Sequence, residues 1–184
     1  MSSRLQLTSD RLICTQIEER DWAFYQSLLM SSQVQYYISD IKPAAEIRAG
    51  FESRLPPWTP GSKHWLCLVV REANSGKALG VTGYVQSETE CAEVGFLFAP
   101  EAQGKGFAGE SLLAVCDFAF TGGGIRRLSA TVTAGNLPSR RLLEKTGFVI
   151  EGELRESYRL RNAWHNDWLF GLLRRDYFSR RPRD

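Results

Sequence analysis

The chain has 184 residues, 43% hydrophobic, 24% charged and 11% aromatic, with 23 Lys+Arg against 21 Asp+Glu for a net charge of +2. This composition fits one globular domain over residues 1–184, excludes intrinsic disorder, and lacks the basic surplus that nucleic-acid binding requires. The longest apolar run, residues 65–70, is far short of the roughly 18 residues of a membrane helix, so no membrane partner is expected. The opening residues have no secretory apolar stretch, which predicts a cytoplasmic protein. Cys14, Cys67, Cys91 and Cys116 lie far apart, with only His64 and His165 as imidazole partners, so reduced thiols and no metal site are expected.

In chain order, residues 5–17 read as a strand entering the polar bend at Thr8, Ser9 and Asp10. Residues 18–31 carry Trp22, Tyr25, Leu28 and Leu29 at helical spacing, and residues 43–55 repeat the pattern with Ile47, Phe51 and Leu55 until Pro56 and Pro57 stop it. Three strand-like runs follow, at 64–72, 78–86 and 92–98, with short turns that make them antiparallel neighbours. From Gly104 the period changes to that of a helix, buried through Phe107, Leu112, Leu113, Val115, Cys116 and Ala119 and ending at Gly122. Residues 127–132 read as a strand, 137–146 as a helix closed by Gly147, and 149–159 and 167–173 as two strands joined near Asn162. Residues 176–184 read as a loose tail.

The richest stretch runs from Glu93 through Phe96, Leu97 and Phe98 into the glycine turn Gly104, Gly106 and Gly109, a strand leading directly into a helix. Backbone N–H groups at such a helix start cradle anions, and glycine lets phosphate oxygens approach, so a phosphate-bearing ligand is predicted. Gly104-x-Gly106-x-x-Gly109 also satisfies the dinucleotide fingerprint, but no Asp or Glu stands between Asp117 and Glu144 to hold a ribose, and the preceding strands are joined by hairpins.

Gln103-x-x-Gly106-x-Ala108, placed after a strand ending in Ala99-Pro100 and followed by Asn136-x-x-Ser139, fits another pattern. Here the chain resembles the GCN5-related N-acetyltransferases, whose acyl-CoA loop reads Gln/Arg-x-x-Gly-x-Gly/Ala. Residues 7–12, 92–96, 154–156 and 167–177 narrow the resemblance to the ribosomal-protein N-terminal acetyltransferase (RimJ/RimL-like) branch. The resemblance implies an α/β (α+β) domain with a mixed, mostly antiparallel sheet of about seven strands, splayed at its centre between 92–98 and 127–132, and about four helices.

It further implies that acetyl-CoA is the co-substrate, with Phe96, Leu97 and Phe98 pairing their main chain with the pantetheine arm. Gln103, Gly104, Lys105, Gly106, Phe107, Ala108 and Gly109 would form the pyrophosphate loop, with Asn136 and Ser139 beside the pantetheine and thiol. Acetyl transfer needs a neutral amine, a polarised thioester carbonyl and a stabilised thiolate. Glu93 is the candidate base, or else a solvated strand carboxylate, with Glu156 in reserve. The branch's acid tyrosine falls at Leu143 here, so Tyr158 and Ser139 become the candidate proton donors, and His165 reads as a structural group. Arg140 and Arg141 are candidates for the adenosine 3′-phosphate or a solvated helix face.

The segment from Trp164 to Asp167 is one residue longer than the family spacing. The aromatic connection at Tyr36 and Tyr37 and the late hairpin at 158–164 are expected to line the acceptor pocket. The resemblance implies a primary-amine acceptor, best matched to a protein N-terminal α-amine, with a small amine (aminoglycoside, polyamine or amino acid) as the alternative. A CoA-binding sensor without turnover is the competing class, and the protein is expected as a monomer or homodimer.

Overall fold

The strands anticipated from alternation join into a single open sheet in a computed structural model that describes residues 4–180. They are β1 (Gln6–Thr8), β2 (Leu12–Gln16), β3 (Leu66–Glu72), β4 (Ala78–Glu88), β5 (Cys91–Phe98), β6 (Arg127–Thr133), β7 (Val149–Leu160) and β8 (Ala163–Leu173). Their spatial order is β1-β2-β3-β4-β5-β6-β8-β7. Every neighbouring pair is antiparallel except β5 and β6, which are parallel. The helices are α1 (Trp22–Met30), α2 (Ser32–Gln35), α3 (Ala44–Glu52), α4 (Phe107–Thr121), α5 (Leu137–Lys145) and α6 (Arg174–Ser179).

The α+β class expected from the sequence is the class found, with eight strands and six helices in place of about seven and four. The added strand arises because residues 5–17 split into a hairpin, closed where Ser9 N–H donates to Leu12 O at 3.0 Å. One added helix, α2, begins where Ser31 breaks α1 and caps the next turn by accepting from Val34 N–H. The other, α6, corrects the loose tail expected from residue 176. Tyr177 is buried there and donates its hydroxyl to Leu113 O and to Asp117 Oδ1, so α6 is docked on α4. The remainder of that tail, residues 181–184, lies outside the described residues.

Leu66 through Val70 are buried without alternation, which requires cover on both faces of β3. Cys67 stands near Tyr25, which packs on Phe51 in the α1–α3 layer, while Tyr84, paired with Leu66, meets Phe118 of α4.

Strand β8 starts at Ala163, four residues before the strand expected at 167. A two-residue turn at Arg161 and Asn162, both at positive φ (48° and 60°), reverses the chain with the handedness that suits twisted strands. Across this hairpin the register shifts between Leu154 and Tyr158, where β7 carries the extra residues and Glu156 adopts φ 48°, while β8 runs from His165 to Asp167 without a bulge.

Candidate active site

β5 and β6 run together for only three residue pairs, Cys91 with Arg127, Ala92 with Leu128 and Glu93 with Ser129, and then part. Beyond that point the β6-facing edge of β5 has no strand partner. Which main-chain groups it offers follows from alternation, because successive residues of a strand turn their N–H and C=O to opposite edges. Ala99 N–H donates to Leu79 O on the β4 side, and Gly95 O accepts from Thr82 there. On the other side, Ala92 O accepts from Ser129 Oγ and Phe98 O accepts from the Gln103 amide. Val94, Phe96 and Phe98 therefore present their main chain to the gap. Leu97 does not: its carbonyl sits so close to β4 that a Cβ on Gly80 would lie 2.4 Å from it. Leu97, expected to offer its main chain here, therefore turns it to β4, and Val94, one pleat before Phe96, stands on the open edge instead.

Two cavities meet at this gap. One, of about 630 Å3, is lined by Gln103, Gly104, Gly106, Phe107, Ala108 and Gly109 and by Pro138, Arg141 and Lys145 from α5. The other, of about 590 Å3, is lined by Glu93, Trp65, Thr82 and Thr131 of the sheet region, Glu46 and Arg54 near α3, and Tyr158 and Asp167 of the late hairpin. Tyr37, Ile38, Phe96, Leu97, Asn136 and Ser139 line both.

The glycine turn leaves main-chain donors open at the start of α4. Gly104 and Gly106 stand at φ 74° and 82°, and Gly106 is the N-cap of α4 with no side chain to bond the first turn. Glu110 N–H makes the first intrahelical bond, to Gly106 O, which leaves the N–H groups of Phe107, Ala108 and Gly109 without helical acceptors. Nothing lies within 4 Å of where a Cβ on Gly104 would stand, so space remains over the turn. These exposed donors at a helix N-terminus attract phosphate oxygens.

A model of the acetyltransferase (GNAT) domain matches residues 11–149. The chain belongs to this family. It is 23% identical over 173 residues, 94% of this chain and 99% of the other, to Uncharacterized N-acetyltransferase YnaD of Bacillus subtilis. Identity to Uncharacterized N-acetyltransferase p20 of Bacillus licheniformis is 30% over 119 residues, 64% of this chain and 66% of that one, just under two thirds. In fold it is similar to the spermidine N-acetyltransferase of Vibrio cholerae in complex with CoA and spermine, with TM-score 0.82 and 22% identity over 92% of this chain and 99% of that one. RimL, a ribosomal L7/L12 α-N-protein acetyltransferase in complex with coenzyme A, gives TM-score 0.79 and 18% identity over 92% and 98%.

As a GNAT acetyltransferase the protein is an acetyl-CoA-dependent N-acetyltransferase, and the two meeting cavities give it room for a donor and an acceptor. Glu93 is half-buried at the last residue before β5 and β6 part, and among the described residues its carboxylate has no hydrogen-bond or ion-pair partner. Ser139 stands on the first turn of α5, where its N–H donates to Asn136 Oδ1 at 3.2 Å. This cap occupies the Asn136 oxygen and aims the start of α5 at the gap.

Tyr158 lines the acceptor-side cavity, but its hydroxyl donates to Ile38 O at 2.7 Å. Burial, with Asp40 and Asp167 adding to it, pushes the Tyr158 phenol above its ordinary range, so it keeps its proton near neutrality.

Several expected residues stand elsewhere. Gln103 borders the cavity, yet its amide is spent on Phe98 O at 3.0 Å, closing the end of β5. Lys105 is exposed and lines neither cavity. Glu156, the reserve base, lies in the β7 bulge, its N–H donating to Asn166 Oδ1, and lines neither cavity. Its left-handed conformation carries it out of the alternation that would have aimed it with Tyr158. Arg140 pairs with Glu144 and stacks on Trp168, while Arg141 and, one turn on, Lys145 line the donor-side cavity. Leu143 is fully buried, His165 pairs across the hairpin with Tyr158 and lines neither cavity, and Trp164 is exposed.

Sequence reasoning missed Val94, Trp65, Thr82 and Lys145. Lys145 was readable as the i+4 neighbour of Arg141; Val94 and Thr82 depend on strand pairing, and Trp65 on its ring lying against Gly95, thirty residues on. Among the described residues no helix is long and apolar enough to cross a membrane, and no group of three His, Cys, Asp or Glu converges.

Proposed function

We propose that this N-acetyltransferase acetylates the α-amine of a protein or peptide N-terminus, and that the chain falls in the RimJ/RimL-like branch. The observation that carries the acceptor class is the mixed charge of the acceptor-side cavity. Its lining sets Glu46, Glu93 and Asp167 against Lys42 and Arg54. A polyamine carries several cations and is best held by a uniformly acidic slot, whereas one α-amine followed by a neutral peptide needs a single carboxylate at the reacting end. Tyr36, Ile38 and Ile41, all substantially exposed, add apolar surface around Ile38 on which the residues after that amine can rest.

The chemistry follows from the gap. The pantetheine arm pairs with the free main-chain edge at Val94 and Phe96, up to Phe98, whose carbonyl is already held by Gln103, and the pyrophosphate rests on the N–H groups of Phe107, Ala108 and Gly109. The Glu93 carboxylate takes the ammonium proton, directly or through a water, and the free amine attacks the thioester carbon. A main-chain N–H on the open edge of β5 stabilises the carbonyl oxygen as negative charge develops. The adduct nitrogen gives up its second proton to water as the C–S bond breaks, which yields the neutral amide and the CoA thiolate, and the thiolate leaves beside Ser139. A thiol ionises near pH 8.5 when unperturbed, roughly, so its departure makes little demand on a side-chain acid.

The test is a thiol-release assay with acetyl-CoA over peptides with free and blocked N-termini, spermidine, spermine, aminoglycosides and amino acids. Turnover of free-N-terminus peptides and none of the blocked ones is expected. Turnover of polyamines alone would move the acceptor to the small-amine class. CoA binding with no turnover across the panel would make the protein a sensor.

A further inference from the structure

The turn between β1 and β2 is bound to the glycine loop rather than free. Ser9 Oγ donates to Glu110 Oε1 at 2.6 Å, Arg11 N–H donates to the same oxygen at 2.8 Å, and Arg11 Nε donates to Oε2 at 2.7 Å. Arg11 Nη1 donates to Lys105 O at 3.1 Å. The guanidinium carbon lies 4.5 Å from the centre of the Phe107 ring, and Nη2 would stand 3.3 Å from a Cβ on Gly106. Every one of these side-chain contacts of Arg11 therefore falls on the loop or the first turn of α4, a hundred residues away in sequence. Arg11 itself lines neither cavity.

This arrangement bears on the anion cradle in two ways. A left-handed turn held by glycines is soft, and its geometry needs an external fastening. Arg11 supplies one by fixing the Lys105 carbonyl between the two left-handed glycines. A carboxylate in the first turn of a helix also competes for that helix's free N–H groups. Glu110 is such a carboxylate, and the hairpin draws it away, leaving the donors of Phe107, Ala108 and Gly109 open.

We propose that Arg11 is a positioning residue for the donor substrate: through Lys105 O and Glu110 it holds the Gly104–Gly106 turn in the shape that presents these N–H groups to the pyrophosphate of acetyl-CoA. The inference rests on the reading that this loop binds the pyrophosphate. Arg11 touches no part of the donor. Its two-sided contact needs the fork of a guanidinium, which a lysine ammonium does not reproduce.

The experiment compares wild type, Arg11→Ala, Arg11→Lys and Gly106→Val for binding of CoA by calorimetry and of pantetheine, which lacks the pyrophosphate, by NMR titration. Arg11→Ala is expected to weaken CoA on the order of tenfold, the scale of a charge-assisted hydrogen bond, and to leave pantetheine within about twofold. Arg11→Lys should recover only part of the loss and serves if the alanine variant fails to fold. Equal weakening of both ligands, or none, by the folded variants overturns the role of Arg11. If Gly106→Val leaves CoA affinity unchanged, the loop reading itself falls; if Gly106→Val weakens CoA and neither Arg11 variant does, only this inference falls.

Discussion

The ring of Trp65 lies against Gly95 so closely that a Cβ on Gly95 would stand 3.2 Å from Cη2 and Cζ3 of the indole. Both residues line the acceptor-side cavity, and Gly95 follows Glu93 by one pleat on the same face of β5. The glycine thus sets where the aromatic wall of the cavity stands. Gly95→Ala forces the ring to give by a few tenths of an ångström. Initial-rate measurements should show the KM for the amine rising several-fold, since small misplacements at a reacting centre are costly, while CoA affinity holds. An equal loss for both substrates would mean that the sheet, and not the slot, is disturbed.

Glu93→Gln keeps the shape of the last paired residue of β5 and removes its basicity. General-base loss costs about a hundredfold or more in kcat. The variant should show that drop in kcat and bind CoA as wild type does by calorimetry. Unchanged rates across pH would make Glu93 a solvated carboxylate.

Tyr158→Phe separates two roles for the phenol. Its proton is committed to Ile38 O, and that bond ties β7 to the connection after α2. Removing it forfeits about 1 kcal/mol of anchoring, so the amine KM should rise while kcat stays within about twofold. Collapse of kcat with loss of the alkaline limb would instead make Tyr158 the proton donor.

The Arg11–Glu110 contact also has a pH signature. Burial alone would raise the Glu110 carboxyl, but hydrogen bonds from Ser9 and Arg11 and the Arg11 charge outweigh it and hold the group below its ordinary 4.5. A carboxyl depressed in the folded state adds stability that is complete above its unfolded value and disappears as pH falls through the folded one. Urea unfolding of wild type and Glu110→Gln should differ at pH 7, and the gap should shrink as pH falls below the ordinary carboxyl value of 4.5. A gap independent of pH would place the effect in packing rather than charge.

The glycine turn, the helix after it and the Asn136 cap were legible because each is local chemistry. Gly106 needs only its own φ, and Asn136 reaches a donor three residues on. Leu97 and Val94 show where legibility stopped. The two look alike in sequence, yet only the partner strand decides which faces the gap, and that is fixed by pairing with residues such as Val81 and Tyr84. Glu156 was a plausible reserve until the β7 bulge turned it out of phase. The tail misled because its tether, Tyr177 on Asp117, spans sixty residues.

By itself the sequence determined the α+β class, the acetyltransferase motifs and the glycine turn before α4, since these depend on periodicity and on residues within a few positions of each other. The tertiary structure decided which edge of β5 is open, which carboxylate stands at the parting of β5 and β6, and what fastens the loop. Those outcomes depend on contacts between residues as distant as Arg11 and Glu110, which only the folded sheet brings together.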